Sequence, residues 1–453
     1  VWYCCETCVN IKNIKSFLIA HYQFVGVLIA SFLIAVSMGT YTNWDAQLEY
    51  EAVTSILTRG FPYVTTGLMI NQPPLGFYTA AFALAALGEA YLNCVGVATA
   101  FGLGCVVLLY VLGTLLCGKK TGLVASALFG LVPWHVYMSK IFLIDNQYLF
   151  LGLLFLIMGI LAVKHNSEKL VVSAGVFFAL AFLTKLYAVL MLIPLVLIVL
   201  LNRKESNFKL TARKVALFIL PSIILQMIWF GVFANQNFFG VYFSSDFTHP
   251  ELIANPTLEF LPIILSKSAG MFLFIALFLS LALSIIYRKK LAVFLRSDTA
   301  SLGTVLIIMG LDMLLVVGFN LTVPYVSAIK YNYTALPFFC LLAASLADKS
   351  AVLINSIKRK KKDLLIPVLV GAGLVLLFSS MTENIIFLNG WTGFVAFGVD
   401  SVTYYGFNLF SEAVNRNMLD ALHQSALILI VTSIIVEPLF KGLKIIYNRL
   451  RPK

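Results

Sequence analysis

Apolar runs of roughly 18 to 25 residues recur along the whole 453-residue chain, the length a helix needs to cross a bilayer. They predict spans over residues 17–40, 94–117, 121–138, 146–163, 170–184, 186–201, 215–234, 262–287, 300–321, 332–348, 364–381 and 421–440. One further segment, 73–92, is helix-like but opens with Pro73-Pro74 and carries Gly76, Gly88 and Glu89, so its pattern alone allows either a crossing or a helix at the interface. Between it and the first span, Leu48, Ala52, Val53, Ile56 and Leu57 recur at helical spacing beyond Asp45. That is the pattern of an amphipathic helix lying on the membrane and ending near Gly60 and Pro62. The expectation is an all-α polytopic membrane protein with about 12 transmembrane helices (11–13) and amphipathic interfacial helices in the first outer loop.

Composition excludes the soluble classes. Hydrophobic residues make up 60% and charged residues 11%, against about 45–50% and about 25% in soluble domains. A mean hydropathy of +0.95 leaves too little polar surface to cover a globule. The net charge of +12 therefore points to cytoplasmic loops beside anionic lipid headgroups and not to nucleic acid. The run Lys358-Arg359-Lys360-Lys361-Lys362, between two spans, reads the same way.

Charge also orients the chain. With 73–92 kept out of the membrane and the N-terminus cytoplasmic, 26 of the 32 Lys and Arg fall in segments 1–16, 118–120, 164–169, 202–214, 288–299, 349–363 and 441–453. Letting 73–92 cross would put the large basic loops on the side opposite the first. Twelve spans with both termini cytoplasmic leave three substantial outer loops, 41–93, 235–261 and 382–420. Arg59, Lys140, Lys185, Lys267, Lys330 and Arg416 stay on the outer side, as snorkelling residues or as partners for an anionic group there. The first span, preceded by two lysines and followed by no small-residue cleavage site, reads as an anchor and not a cleaved signal. Cys4, Cys5 and Cys8 lack a second Cys or His pair at zinc spacing, and no disulfide framework emerges.

Two outward carboxylates stand out. Asp45 lies just beyond the first span and is thereby anchored at the interface. Asp145, in Met138-Ser139-Lys140-Ile141-Phe142-Leu143-Ile144-Asp145-Asn146, has apolar flanks. An ionised carboxylate at the edge of hydrocarbon needs a partner, such as Lys140, a metal or a substrate group, unless it simply opens a helix whose dipole favours it. His249, in the aromatic loop holding Phe238, Phe239, Tyr242, Phe243 and Phe247, reads either as an interfacial histidine or as a ligand. Asp312, near the middle of a span, marks either function or a buried hydrogen bond.

The residues resemble a family. D-x-x-x-E-Y-x-A from Asp45, L-x-x-G-F-P-Y from Leu57, P-P-L-G from Pro73, S-K-x-x-L-x-D from Ser139 and L-T-K from Leu183 look like the GT-C superfamily of integral-membrane glycosyltransferases. The groups most similar are the protein O-mannosyltransferases and the lipid A aminoarabinose transferases. The likeness runs over about residues 15–200, and K-Y-x-Y-x-x-L-P at 330–337 is similar to a later element of some members. Asn71-Gln72 replaces the charged residue or histidine that members often carry before the Pro-Pro pair, and Lys140 stands where arginine is commoner.

The resemblance implies a polyprenyl-phosphate-linked sugar donor, an outward-facing active site, inversion at the anomeric carbon, Asp45 as base, and Asp145 as a site-building acid, in some members through a divalent metal. The acceptor is a protein, lipid or glycan. Chemistry agrees, because transfer from a lipid phosphate needs a base for the acceptor proton and positive charge on the departing phosphate. Lys140, Lys185, Lys330 and Arg59 are the available cations, with Glu49 and Tyr331 as further contacts; a metal on Asp145 and His249 would replace or assist them. Residues 1–201 then form the catalytic membrane module, and 202–453 a variable set of C-terminal helices. The competing reading is a transporter or flippase, for which the repeats with matched broken helices are not evident.

Overall fold

The computed structural model describes residues 21–36, 40–42, 44–64, 67, 69–70, 72–201, 208–233, 333–338, 340–341, 343–345 and 401–403. Its helices are α1 (Tyr22–Val36), α2 (Trp44–Arg59), α3 (Leu75–Leu87), α4 (Tyr91–Cys117), α5 (Lys119–Leu131), α6 (Pro133–Lys140), α7 (Asp145–His165), α8 (Glu168–Thr184), α9 (Leu192–Leu201) and α10 (Ala212–Phe233), with 3-10 turns at Leu186–Met191 and Tyr333–Ala335. Among the described residues, Tyr91–Cys117, Asp145–His165 and Ala212–Trp229 are long and apolar enough to cross a membrane. The expected spans 262–287, 300–321, 364–381 and 421–440 lie outside the described residues, as do residues 332, 339, 342 and 346–348 of the run 332–348.

The run expected at 121–138 is two helices. Pro133 cannot donate a hydrogen bond to α5, so the chain breaks at Val132 and restarts with proline in the first helical position of α6. The run 186–201 likewise opens as a 3-10 turn before α9. Helix α3 has 13 residues and rises about 20 Å, short of the roughly 30 Å hydrocarbon core. The fold is not helical throughout: β1 (Thr40–Thr42) pairs antiparallel with β2 (Ser401–Thr403), joining the first expected outer loop to the third.

Helix α7 is apolar around its whole circumference and buried along nearly its whole length, as a central helix must be. Helices α4 and α8 pack along it, and Tyr333, Leu336, Phe338, Cys340 and Leu341 from far along the chain enter the same core. Helix α10 packs on α8 but exposes Leu220, Ile223, Ile224, Met227 and Ile228, the face a helix turns to hydrocarbon.

The bundle has two chemically distinct poles, set about 30 Å apart by the 21 residues of α7. One pole holds Asp145 at the start of α7, the end of α1, β1, α2 and Lys185. The other holds Lys164 and His165 in the last turn of α7, where cations suit the negative end of the helix dipole. There Asn166, in the left-handed conformation at φ 50°, accepts from Lys214 Nζ at 2.5 Å, and Arg213 pairs with Glu168 at 3.0 Å.

Candidate active site

The acidic pole is assembled around a four-residue connection, Ile141–Ile144, between α6 and α7, which leaves α6 in extended backbone at Ile141 and enters α7 in helical backbone at Ile144. Ile144 N donates to Glu49 Oε2 at 3.0 Å, and Phe142 N donates to the Tyr91 hydroxyl at 3.1 Å. Tyr91 in turn meets Tyr50 edge-on, 5.5 Å between ring centres. Ile144 precedes the first turn of α7, so Glu49 answers one of the amide groups a helix start leaves without an internal partner, and its charge sits at the favourable end of the dipole.

The P-P-L-G motif has its reason here. Gly76, in the first turn of α3, lies so close to Ile144 that a Cβ at this position would overlap the Ile144 side chain. The G-F-P-Y motif closes the other end of α2. Gly60 takes φ 78°, the Ser55 hydroxyl donates to Phe61 O at 2.5 Å and accepts from Tyr63 N at 2.8 Å, and the Tyr78 hydroxyl donates to Gly60 O at 2.6 Å. Burial pushes the Tyr78 hydroxyl up from the usual tyrosine range.

Asp145 opens α7 and forms a buried ion pair with Lys185, Oδ1 to Nζ at 2.6 Å, with the two side chains 4% and 7% exposed. Lys185 is held in extended backbone between α8 and the 3-10 turn, and its ammonium also lies 5.8 Å from the Tyr187 ring centre. Asp145 Oδ2 is buried and has no hydrogen-bond partner among the described residues. Asp45 is half-buried in the first turn of α2, one turn before Glu49 and on the same helix face. Glu49 therefore ties the face that carries Asp45 to the start of α7, where the Asp145–Lys185 pair sits.

Not every expected residue joins this group. Lys140 does not partner Asp145, because this connection carries the two apart. Its amino group instead turns to Ile34 O and Ala35 O at 3.4 and 3.3 Å, where a cation suits the carbonyl end of α1. Arg59 is exposed, 5.9 Å from the Tyr63 ring centre, at the far end of α2 and about 21 Å along the helix from Asp45. Lys330, Tyr331, His249 and Asp312 lie outside the described residues. Among the described residues no three of His, Cys, Asp and Glu converge, so these residues do not by themselves fit a metal ion; Asp145 Oδ2 would be its one ligand from this group.

Sequence reasoning passed over Asn146, His135 and Tyr333, which are hydrogen-bonded to one another beside Asp145. The signals were present: an ionisable His135 inside an apolar run, and the second tyrosine of K-Y-x-Y-x-x-L-P.

A family model described as dolichyl-phosphate-mannose-protein mannosyltransferase matches residues 71–229, a stretch that contains Lys140, Asp145 and Lys185 but not Asp45. No curated protein matches the chain. Among solved structures, ArnT from Cupriavidus metallidurans in the apo state is similar over 93% of this chain and 76% of its own, at 13% identity and a TM-score of 0.56. The same protein bound to undecaprenyl phosphate is similar at 12% identity and a TM-score of 0.53, over 93% of this chain and 78% of its own. The archaeal oligosaccharyltransferase AglB from Archaeoglobus fulgidus, in complex with an inhibitory peptide and a dolichol-phosphate, covers 84% of this chain at 12% identity and a TM-score of 0.52; this chain spans 56% of AglB. At these identities the likeness is one of fold, that of the GT-C membrane glycosyltransferases, and the sequence motifs and the family match point the same way.

Proposed function

We propose that the chain is a GT-C glycosyltransferase that moves a sugar from a polyprenyl-phosphate-linked donor to an acceptor hydroxyl, with inversion at the anomeric carbon. Asp45 takes the acceptor proton as the acceptor oxygen bonds to C1. The C1–O bond to the lipid phosphate breaks, and the phosphate leaves with the bonding electrons. A base fixed beside the bilayer suits a donor whose reacting group is held at that depth by its lipid. Lys185, oriented by Asp145, is the proposed cation at the departing phosphate, while Glu49 holds the Asp45 face of α2 against the start of α7. Lys330 and Tyr331 are further proposed phosphate contacts. A divalent ion on Asp145 and His249 is a separate proposal, and no step above depends on it. The observation that carries the reading is the meeting of the Asp45–Glu49 face with the Asp145–Lys185 pair at one pole.

In the membrane, this pole faces outward, with twelve spans and both termini cytoplasmic. The basic residues of the opposite pole support that orientation. The β1–β2 pair supports the count: two paired strands lie on one side, so the chain between residues 42 and 401 crosses an even number of times, as it does in the twelve-span reading.

The test is transfer of label from a panel of radiolabelled polyprenyl-phosphate sugars to extracted cell-envelope acceptors, using purified wild type and Asp45→Ala in lipid. Transfer from one donor, lost in Asp45→Ala while folding is kept, is the expected result. Full activity in the variant removes the proposed base, and no transfer by folded wild type from any donor overturns the reading.

A further inference from the structure

Three segments converge on the side chain of Asn146, the residue after Asp145. Its Nδ2 donates to Ala98 O of α4 at 2.9 Å and to Met138 O of α6 at 2.7 Å, and its Oδ1 accepts from the Tyr333 hydroxyl at 2.7 Å. The two carbonyls require the amide nitrogen on their side, which fixes the orientation of the amide. The single Tyr333 hydroxyl proton is therefore committed to Asn146, so His135 Nδ1, 2.6 Å away, must carry a proton and donate to the Tyr333 oxygen. His135 packs at a tilt on Phe129, 4.0 Å between ring centres, and His135, Asn146 and Tyr333 are all buried. Gly102 of α4 makes room, since a Cβ there would overlap Ser139 Oγ and press on Asn146 Nδ2. The adjoining Tyr148 hydroxyl donates to Tyr187 O at 3.2 Å, which ties α7 to the segment that carries Lys185.

Apart from Tyr333 in the K-Y-x-Y-x-x-L-P element and Ser139 in S-K-x-x-L-x-D, none of these groups belongs to the motifs by which the site was found, and none has a role in the proposed chemistry. Asp145 and Asn146 share the first turn of α7, so any rotation or slide of α7 that displaces the Asp145 carboxylate must break the bonds of Asn146. In a buried, low-dielectric setting those bonds resist such movement strongly, because each broken one leaves a polar group without a partner.

We propose that Tyr333 is a positioning residue for Asp145: with His135 behind it, its hydroxyl locks Asn146 and so sets the start of α7 and the Asp145–Lys185 pair. Through it the C-terminal part of the chain, 187 residues beyond Asn146, completes the site. The inference rests on the proposed transferase reading for its kinetic test but not for its structural one.

Tyr333→Phe removes one oxygen and keeps the ring. The expected result is a fall in kcat of about tenfold or more with the donor KM within about twofold, because Tyr333 is buried and acts through Asn146. His135→Asn, whose amide N–H replaces the Nδ1–H, keeps most of the rate, whereas His135→Leu lowers it as Tyr333→Phe does. Hydrogen exchange is read alongside at the Ile144 and Tyr148 amides, which are bonded to Glu49 Oε2 and Ile144 O. Tyr333→Phe is expected to speed exchange there while α8 and α10 stay protected. An unchanged kcat overturns the proposal, as does a raised KM at constant kcat, which would make Tyr333 a substrate contact. Exchange that is unchanged at the two amides, or raised throughout the bundle, overturns it too. If wild type transfers no sugar, the transferase reading fails, and the exchange arm still decides whether Tyr333 positions Asp145.

Discussion

Replacing Lys185 by methionine keeps most of the length of the side chain and removes the ammonium group paired with Asp145. At 2.6 Å and an effective dielectric constant of about 20, the attraction between the two charges is about 6 kcal/mol. Part of that is offset by the cost of taking both charges out of water, so loss of one partner from a buried pair costs about 3–5 kcal/mol. The upper part of that range applies here, because among the described residues Asp145 Oδ2 has no hydrogen bond to fall back on. The double variant Asp145→Asn/Lys185→Met leaves no unpaired charge and is expected to lie within about 2 kcal/mol of wild type. Unfolding of the four proteins in detergent, followed by circular dichroism, closes a double-mutant cycle. Stability is expected to fall in each single variant and largely return in the double, while transfer activity stays lost in all three. A loss below about 1 kcal/mol in Lys185→Met, or single effects that simply add, would refute the reasoning, since either would mean that the two charges are solvated and independent.

Gly76→Ala places a methyl group against Ile144, the residue that joins Glu49 to Asp145; a destabilisation of about 1–3 kcal/mol with a loss of transfer rate is expected from thermal unfolding and turnover, and wild-type behaviour would show that α3 can retreat freely. Glu49→Gln keeps an oxygen for the Ile144 amide and is expected to stay within about 1 kcal/mol of wild type, whereas Glu49→Ala, which leaves that buried amide unanswered, is expected to cost about 1–3 kcal/mol in the same measurement.

Much of this protein is legible in one dimension because hydrocarbon is an exacting solvent. A helix that crosses it must be apolar for about 20 residues, so length and position of the apolar runs announce the elements directly. The amphipathic spacing after Asp45 foretold α2, and Gly60 and Pro62 marked its end. The breaks at Val132 and Lys185 were harder to read, because one proline or one extended residue interrupts a run without changing its hydropathy.

The candidate site was visible in residue type and hidden in pairing. Asp145 had to have a partner, and the sequence pointed to Lys140, five residues away, while Lys185, forty residues away, stood out only as a candidate phosphate cation. Nearness along the chain favoured the wrong one, since the connection between α6 and α7 separates neighbours while the return of α8 brings Lys185 back to the start of α7. Asn146, His135 and Tyr333 gave weaker signals, because polar residues in apolar runs acquire meaning only when their hydrogen bonds are seen.

By itself, then, the sequence determined the solvent, the helical class, the charge asymmetry and the carboxylates that carry candidate chemistry, all of which depend on the identity and spacing of nearby residues. The tertiary structure decided which cation faces Asp145, which glycine lets α3 reach Ile144 and which distant tyrosine holds Asn146. These are contacts between segments separated by tens to hundreds of residues, and they depend on how whole helices pack; no local pattern encodes that.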